Sequence, residues 1–207
     1  MNKQGILIGG TFNPFTNAHR EMAVTIRKLF PEADIIYVPS NMKYIAGWKE
    51  LPKGEVFSGK NRVELMREAV KEIPNCLVSD IESTGAADGR TYHTVRYYKE
   101  FYEELFLCIG SDKLQELERW YRAEELLQEV NILLFTRGER LENVTSAFIK
   151  KYRGRIREVL FDYPGISSSL IRTLYADGKI EEIRRYVPET VYQYLKRKRE
   201  QNEGRMV

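Results

Sequence analysis

The chain has 207 residues, of which 43% are apolar and 30% are charged, and its formal net charge is +3. This composition is that of an ordinary globular protein and excludes a disordered or fibrous chain. The modest positive charge fits a local anion site but does not indicate a broad nucleic-acid surface, and no apolar run reaches the roughly 18 residues that span a bilayer.

Short apolar runs alternate with longer segments of helical periodicity. This pattern predicts a doubly wound, Rossmann-like α/β fold, with a parallel sheet covered by helices on both faces and a small helical C-terminal region. The predicted strands are Gly5–Gly9, Asp34–Pro39, Cys76–Ile81, Leu105–Ile109, Asn131–Phe135 and Glu158–Phe161. The predicted helices begin near Asn17 and then cover Lys60–Glu72, Thr94–Glu104, Glu124–Glu129, Asn143–Tyr152, Ser167–Ala176, Ile180–Tyr186 and, from Pro188, the stretch to about Arg199.

We expect a single domain over residues 1–207, with a core of about residues 1–162 and a helical C-terminal part of about residues 163–200. In the first helix, the periodicity places Ala18, Met22, Ile26 and Leu29 on one inward face. The Gly47–Lys60 stretch is predicted to be a mobile loop, and Lys196–Arg199 a solvated helix end rather than a nucleic-acid patch. Cys76 and Cys108 are predicted to be buried, reduced thiols of a cytoplasmic protein, with a disulfide as the less favoured alternative.

The segment Gly9–His19 joins the first strand to the first helix and concentrates the residue types of a ligand site. Two consecutive glycines let the backbone turn tightly and approach a ligand. Thr16 or Asn17 can cap the helix, whose N-terminus offers unpaired N–H groups and a positive dipole end to an anion. The segment matches neither the Walker loop nor the Rossmann fingerprint, and a plain strand–turn–helix with a chance histidine is the alternative. His93 is interpreted in that ordinary way, as a polar residue near a helix start.

Gly9–His19 resembles the Gly-Gly-x-Phe-x-Pro-(His/Thr)-x-x-His signature of nucleotidyltransferases that transfer AMP or CMP. Many bacterial members have His-x-Gly-His where this chain has Thr16-Asn17-Ala18-His19, so a hydroxyl replaces one imidazole. Gly165–Arg172 resembles the second signature of the superfamily, Ile-Ser-Ser-Thr-x-(Ile/Val)-Arg, with Ser169 in place of threonine. Serine hydroxyls and amides at that helix start suit phosphate oxygens, and Arg172 is expected on the same face as Ser168, where it can contact the β- and γ-phosphates.

Cys108–Leu114 resembles the Ile-Gly-x-Asp-x-Leu element of nicotinate/nicotinamide mononucleotide adenylyltransferases. Asp112 would accept from ribose hydroxyls, with a plain helix-capping aspartate as the alternative. The resemblance implies that Trp120, followed by Tyr121, packs against a pyridine ring, although an aromatic that anchors a helix in the core is the other interpretation. Pro39–Lys43 resembles a lysine-containing loop of that family. The positions Arg62, Met66 and Arg137 also match the family.

Arg90–Val95 aligns with the Ser-Tyr-Thr-x-x-Thr-Leu element of the family, so that Thr91 and Thr94 match its two threonines. Arg90 then stands where the family has a tyrosine that helps to hold the nicotinate ring. A shift in register would put Tyr92 there instead. The arginine could favour the carboxylate of nicotinate over the amide of nicotinamide, or mark a different acceptor.

Together these resemblances imply transfer of AMP from ATP to nicotinate or nicotinamide mononucleotide, with release of pyrophosphate. Mg²⁺ would bridge the phosphates of ATP without a dedicated protein metal site. The implied catalytic residues are His19, Thr16, Arg172 and Lys43. The implied ATP site comprises Gly9, Gly10, Thr11, Phe12, Thr16, His19, Gly110, Asp112, Ile166, Ser167, Ser168 and Arg172. The implied acceptor site comprises Lys43, Arg90, Thr91, Trp120, Tyr121 and Arg137.

Three rival functions are weighed against this one: transfer to another phosphorylated acceptor such as phosphopantetheine, a non-catalytic nucleotide sensor, and a nucleic-acid-binding protein that uses the basic C-terminus. The expected partners are therefore ATP and a pyridine mononucleotide, with neither nucleic acid nor membrane. A homo-oligomer is left open.

Overall fold

A computed structural model of the chain describes residues 3–41, 59–136, 146–163 and 165–203. Its strands are β1 (Gln4–Gly10), β2 (Asp34–Pro39), β3 (Cys76–Val78), β4 (Glu104–Gly110), β5 (Asn131–Thr136) and β6 (Ile156–Leu160). Its α-helices are α1 (Asn17–Leu29), α2 (Gly59–Val70), α3 (Thr91–Lys99), α4 (Ser111–Leu114), α5 (Ala123–Glu129), α6 (Ala147–Lys151), α7 (Ser168–Ala176), α8 (Ile180–Ile183) and α9 (Glu189–Glu203). Short 3₁₀ turns lie at Leu117–Arg119 and Arg153–Arg155.

The strands of the described ranges form one parallel sheet in the order β3-β2-β1-β4-β5-β6. The chain moves outward from β1 to β3, then returns to the other side of β1 and moves outward again. The strand order therefore reverses between β1 and β4, and the loops that follow these two strands separate there. In an open α/β sheet, this switch point at the carboxyl ends of the strands is where ligands bind.

Two apolar clusters cover the two faces of the sheet, as the alternation of side chains along each strand requires. On one face, Ile6 and Ile8 of β1 pack with α1, α2 and the C-terminal helices. On the other face, Leu7 of β1 packs with α3, α5 and α6. Because both faces are buried, the strands are almost continuously apolar.

The predicted α/β fold and all six strands are confirmed, but several boundaries are wrong. β3 ends at Val78, because this edge strand pairs only with β2 and the chain turns away at the polar Ser79–Asp80. The helix expected to run to Glu104 ends at Lys99, because the N–H groups of Glu103 and Glu104 donate to the Lys3 carbonyl at the start of β4.

Smaller departures occur at other helices and strands. Leu29, expected inward, is 41% exposed at the end of α1. Helix α6 begins at Ala147, capped by Ser146, and α8 ends at Ile183. The last helix continues to Glu203, and β6 spans Ile156–Leu160. Of the predicted Gly47–Lys60 loop, residues 47–58 lie outside the described residues, and its last two begin α2. Within the described ranges, no helix has the length and apolarity needed to cross a bilayer.

Candidate active site

A cavity of about 1330 Å³ opens at the switch point between β1 and β4. Its floor is the end of these two strands, and its wall continues through the first turn of α1, the start of α3 and the segment after β4. Most of the residues implicated by sequence contribute to this wall: Gly9, Gly10, Thr11, Phe12, His19, Arg90, Thr91, Gly110, Asp112, Trp120, Tyr121 and Ile166. Thr16, Ser167, Ser168 and Arg172 do not line it, and Lys43 and Arg137 lie outside the described residues.

The two glycines at the end of β1 have different roles. A Cβ atom at Gly9 would meet no protein atom within 4 Å, and the residue is exposed at the cavity floor. A Cβ atom at Gly10 would approach the Phe12 ring to 2.9 Å, so glycine is needed there for packing. Phe12 itself has a φ of 47°, a left-handed conformation that reverses the chain after the strand. Only Gly9 therefore offers bare backbone to a ligand.

Thr16 is the N-cap of α1 and fixes the imidazole of His19. The backbone N–H of Thr16 donates to Nδ1 of His19 at 3.0 Å, and the His19 N–H donates to the Thr16 hydroxyl oxygen at 3.4 Å. A backbone N–H can only donate, so Nδ1 is an acceptor and the neutral ring carries its hydrogen on Nε2. Thr16 is fully buried. In this structure its hydroxyl is used within the helix cap, and it is His19 rather than Thr16 that lines the cavity.

The His19 ring packs in a cluster of aromatic side chains. Its centroid lies 5.0 Å from that of Phe12, in an edge-to-face arrangement, and 5.5 Å from that of Phe15. The Tyr37 hydroxyl donates to the backbone carbonyl of His19. Burial in this cluster lowers the pKa of His19 from 6.5 to about 4. The half-buried ring is therefore neutral at pH 7, with Nε2–H as its hydrogen-bond donor.

The first turn of α1 is less open to an anion than the sequence predicts. The N–H of Asn17 donates to the Tyr186 carbonyl at 2.8 Å, and the Asn17 side-chain amide donates to the Arg185 carbonyl. The His19 N–H is bound to Thr16. Two of the N–H groups expected to hold phosphate are thus paired within the protein, while Gly9, Thr11, Ala18 and His19 of this segment line the cavity.

The second signature segment docks on the first. Ser168 at the start of α7 donates from its hydroxyl to the Pro14 carbonyl at 2.8 Å. One turn further on, Arg172 donates from Nη1 to the Asn13 carbonyl at 2.8 Å and from Nη2 to Ser169 at 2.9 Å. The expected shared face of Ser168 and Arg172 is therefore confirmed. What that face contacts is the loop after β1 rather than the cavity.

Ser167 caps α7, since its hydroxyl oxygen accepts from the Leu170 N–H at 3.1 Å. Of the second signature, Ile166 is the residue that reaches the cavity wall.

At the other end of the cavity, Asp112 folds back over Gly110. A Cβ atom at Gly110 would lie 2.5 Å from the Asp112 carboxylate, so this glycine makes room for the side chain that follows. Gly110, not Asp112, occupies the N-cap of α4, and the helix-capping interpretation of Asp112 is wrong. The Asp112 carboxylate is exposed beside Lys113, whose Nζ lies 4.0 Å away. It remains accessible to a ligand.

Arg90 and Tyr92, the two residues between which the sequence registers differ, both line the cavity. Arg90 is the N-cap residue of α3, and its guanidinium carbon lies 4.4 Å above the ring of Tyr121. Tyr92 packs edge-to-face against the same ring, with centroids 6.1 Å apart. Trp120 is partly buried against the apolar core and also lines the cavity. His93 pairs with Asp88 at 2.9 Å and is an ordinary polar residue near the helix start.

Two buried charged residues shape the site: sequence reasoning named Arg62 as a family match without its role, and it missed Glu82. Arg62 is 2% exposed and donates to the carbonyls of Thr11 at 2.6 Å and Ser40 at 2.7 Å, thereby joining the loops after β1 and β2. Glu82 is 6% exposed, lines the cavity and accepts from the Thr94 hydroxyl at 2.6 Å. Burial raises the pKa of the Glu82 carboxyl. A signal existed for Arg62, which falls on the apolar face of its helix.

No group of three or more His, Cys, Asp or Glu side chains in the described ranges is arranged to hold a metal ion.

Residues 7–174 match the model of the cytidylyltransferase-like family. A probable nicotinate-nucleotide adenylyltransferase of Caldicellulosiruptor bescii is 30% identical over 195 residues, which cover 93% of this chain and 95% of that protein. Another from Carboxydothermus hydrogenoformans is 32% identical, with 91% and 93% of the two chains covered. The nicotinic acid mononucleotide adenylyltransferase of Plasmodium falciparum, solved in complex with APC, superposes with a TM-score of 0.70 over 95% of this chain and 96% of that one. At 20% identity, this likeness shows the fold.

Proposed function

The chain belongs to the cytidylyltransferase-like family, and from that membership we propose that it acts as a nicotinate-nucleotide adenylyltransferase. It transfers AMP from ATP to nicotinate mononucleotide and releases pyrophosphate, a step in NAD biosynthesis. Nicotinamide mononucleotide is the alternative acceptor. The observation that carries the proposal is the docking of the second signature on the first: Ser168 and Arg172 donate to carbonyls of the same Gly9–His19 segment that supplies His19 to the cavity wall.

The reaction needs no covalent enzyme intermediate. An oxygen of the mononucleotide phosphate attacks the α-phosphorus of ATP, and the bond from that phosphorus to the β-phosphate oxygen breaks. Pyrophosphate leaves with the electron pair. Positioning and charge stabilisation therefore supply the catalysis.

His19 stabilises the charge that develops on the α-phosphate. Its ring is neutral, and its Nδ1 is occupied by the Thr16 N–H, so Nε2–H is the donor left for a phosphate oxygen. A fixed donor in a partly dehydrated site stabilises developing charge without having to reorganise during the reaction. Thr16 acts as a positioning residue, because its contacts are to His19 and not to the cavity.

The triphosphate lies along the loop after β1, where Gly9 leaves the backbone uncovered. Arg172 holds the Asn13 carbonyl of that loop and has further N–H groups for the β- and γ-phosphates. Lys43, outside the described residues, is proposed to neutralise charge near the reacting phosphates. Mg²⁺ would arrive with ATP, since phosphate oxygens and water are the ligands that it prefers.

The acceptor occupies the end of the cavity formed by α3 and the segment after β4. Trp120 and Tyr121 offer aromatic faces to a pyridine ring, and Asp112 offers an exposed carboxylate to ribose hydroxyls. Thr91 lines the same wall. Arg137, outside the described residues, is assigned to the acceptor by family resemblance alone.

We further propose a cytoplasmic protein that does not bind nucleic acid. The free thiols of Cys76 and Cys108 fit a reducing compartment, and burial raises the pKa of both, which keeps them unreactive. In the basic C-terminal segment, Lys196 pairs with Glu181 and Arg199 donates to the Tyr175 carbonyl. Part of that charge is therefore used in packing the last helix.

The test is pyrophosphate release from ATP and Mg²⁺, with nicotinate mononucleotide, nicotinamide mononucleotide and phosphopantetheine offered separately. We expect turnover with a pyridine mononucleotide and none with phosphopantetheine. His19→Ala should lower kcat by about 10²- to 10⁴-fold with an unchanged fold by circular dichroism. His93→Ala is the matched control, because that histidine lies outside the cavity wall and away from the loop after β1. Its contacts with Asp88 and the Tyr121 ring belong to the acceptor end, so the variant should alter the KM for the acceptor at most and keep kcat within about threefold of the wild type. Equal activity of the two variants would contradict the role of His19.

A further inference from the structure

The acceptor end of the cavity combines flat rings with positive charge. Tyr92 and Tyr121 meet edge-to-face there, beside Trp120 in the same wall. Arg90, Lys113 and Arg119 line the cavity, and Lys113 pairs with Glu116 at 3.0 Å. Of these cations, Arg90 is the one that lies over the Tyr121 ring, and Arg122, outside the wall, is a further cation on the same rings. Such a surface suits a flat aromatic ligand that carries a negative group at its edge.

Two contacts orient the guanidinium of Arg90. Its central carbon lies 4.4 Å above the Tyr121 ring, and its Nε lies 3.7 Å from the Asp88 carboxylate. The Arg90 N–H donates to the other Asp88 oxygen at 3.0 Å, which holds the backbone as well. Asp88 is shared with His93, whose Nδ1 is only 2.9 Å away. The long contact to Asp88 therefore leaves much of the arginine charge uncompensated.

The terminal nitrogens of Arg90 are available to a ligand. In the part of the chain that the structure describes, neither has a hydrogen-bond partner, and the side chain is 41% exposed in the cavity wall. Arg122 differs in this respect. Its Nη1 lies 3.4 Å from the Tyr92 hydroxyl, and the residue does not line the cavity. Of the two arginines that contact these rings, Arg90 is thus placed for ligand binding, and Arg122 packs outside the cavity.

We propose that Arg90 binds the carboxylate on the pyridine ring of the acceptor and thereby selects nicotinate over nicotinamide mononucleotide. This inference rests on the proposed function. The fork of N–H groups on a guanidinium matches the two oxygens of a carboxylate. A carboxamide offers only one oxygen, and its NH₂ group would face the donors of Arg90 without an acceptor. The enzyme would then favour the acid for two reasons: Arg90 binds the carboxylate, and the carboxamide leaves donors facing each other without an acceptor.

The test compares kcat/KM for the two mononucleotides in the wild type, Arg90→Gln, Arg90→Lys and Arg122→Gln. A charge-assisted hydrogen bond corresponds to a factor of about 10 to 100 in binding. For Arg90→Gln, we expect kcat/KM with nicotinate mononucleotide to fall by that factor, and kcat/KM with nicotinamide mononucleotide to change by less than about threefold. Arg90→Lys keeps the charge without the fork and should fall between Arg90→Gln and the wild type. Arg122→Gln should keep the wild-type ratio.

Two results would overturn the assignment to Arg90. The first is an unchanged acid-to-amide ratio in both Arg90 variants. The second is an Arg122→Gln variant that loses selectivity as fully as Arg90→Gln, since the general positive charge would then be responsible.

The activity of the wild type with the two mononucleotides distinguishes failure of this inference from failure of the proposed function. AMP transfer to both mononucleotides with equal efficiency refutes selection by Arg90 but retains the adenylyltransferase. Absence of transfer to either one refutes the proposed function, and the inference that rests on it fails as well.

Discussion

Replacing Gly9 with alanine tests whether a ligand approaches the bare backbone at the end of β1. The new methyl group meets no protein atom within 4 Å, and Gly9 lies in a strand, where alanine adopts the backbone conformation without strain. Glycine in a strand is less stable than alanine by about 0.5 to 1 kcal/mol, so Gly9→Ala should unfold at the same free energy or a slightly higher one. The methyl group would instead occupy space at the floor of the cavity.

We therefore expect Gly9→Ala to lower the activity without lowering the free energy of unfolding. A methyl group at the floor would displace the triphosphate by about 1 Å, and a misplacement of that size lowers the rate by about 100-fold, equivalent to about 2.7 kcal/mol. Pyrophosphate release measures kcat/KM, and urea unfolding measures stability. Gly154→Ala is the matched control, because its Cβ also meets nothing within 4 Å but lies in a 3₁₀ turn outside the cavity wall. A Gly9→Ala variant as active as Gly154→Ala would refute close approach of the ligand.

Three further outcomes follow from the same contacts. Thr16→Ala should lower the free energy of unfolding by about 1 kcal/mol through loss of the helix cap, and should lower kcat more than it raises KM, whereas Thr16→Ser should restore both. Arg172→Ala should raise the KM for ATP and also destabilise the protein by about 1.5 to 3 kcal/mol, because the charged bond to the Asn13 carbonyl is lost; unchanged urea unfolding would show that Arg172 is not a tether. As pH falls from 6.5 to about 4, the unfolded chain takes up a proton that native His19 does not, so stability should decline by at most about 3 kcal/mol. Unfolding curves at several pH values would reveal this component, and His19→Gln should lack it.

The local patterns of the sequence predicted the location of the site but not the internal contacts of its residues. The alternation of apolar runs and helices was sufficient to predict the parallel sheet, and the two signature segments indicated that His19 and Arg172 lie near each other. The sequence did not show that Thr16 would face His19 rather than a phosphate. That depends on the N-cap geometry, which either Thr16 or Asn17 could have provided.

Contacts between distant segments account for the remaining differences. The pairing of the Asn17 N–H with the Tyr186 carbonyl joins residues that no local pattern connects. In the same way, Glu82 is held in the cavity wall by a hydrogen bond from the hydroxyl of Thr94, which lies on the helix that follows. Helix ends were predicted less well than helices, because the ends of α3 and α8 are set by neighbouring turns rather than by periodicity.

The docking of the C-terminal helices on the loop after β1 has a consequence for protein synthesis. The ribosome makes His19 before it makes the groups that complete the surroundings of this residue, which lie far downstream in the chain. Tyr186 supplies the acceptor for the first turn of α1, and Arg172 holds the carbonyl of Asn13. A nascent chain can therefore complete its sheet while its catalytic loop still lacks these supports, and full activity should appear only after Tyr186 has been synthesised and the last helices have docked.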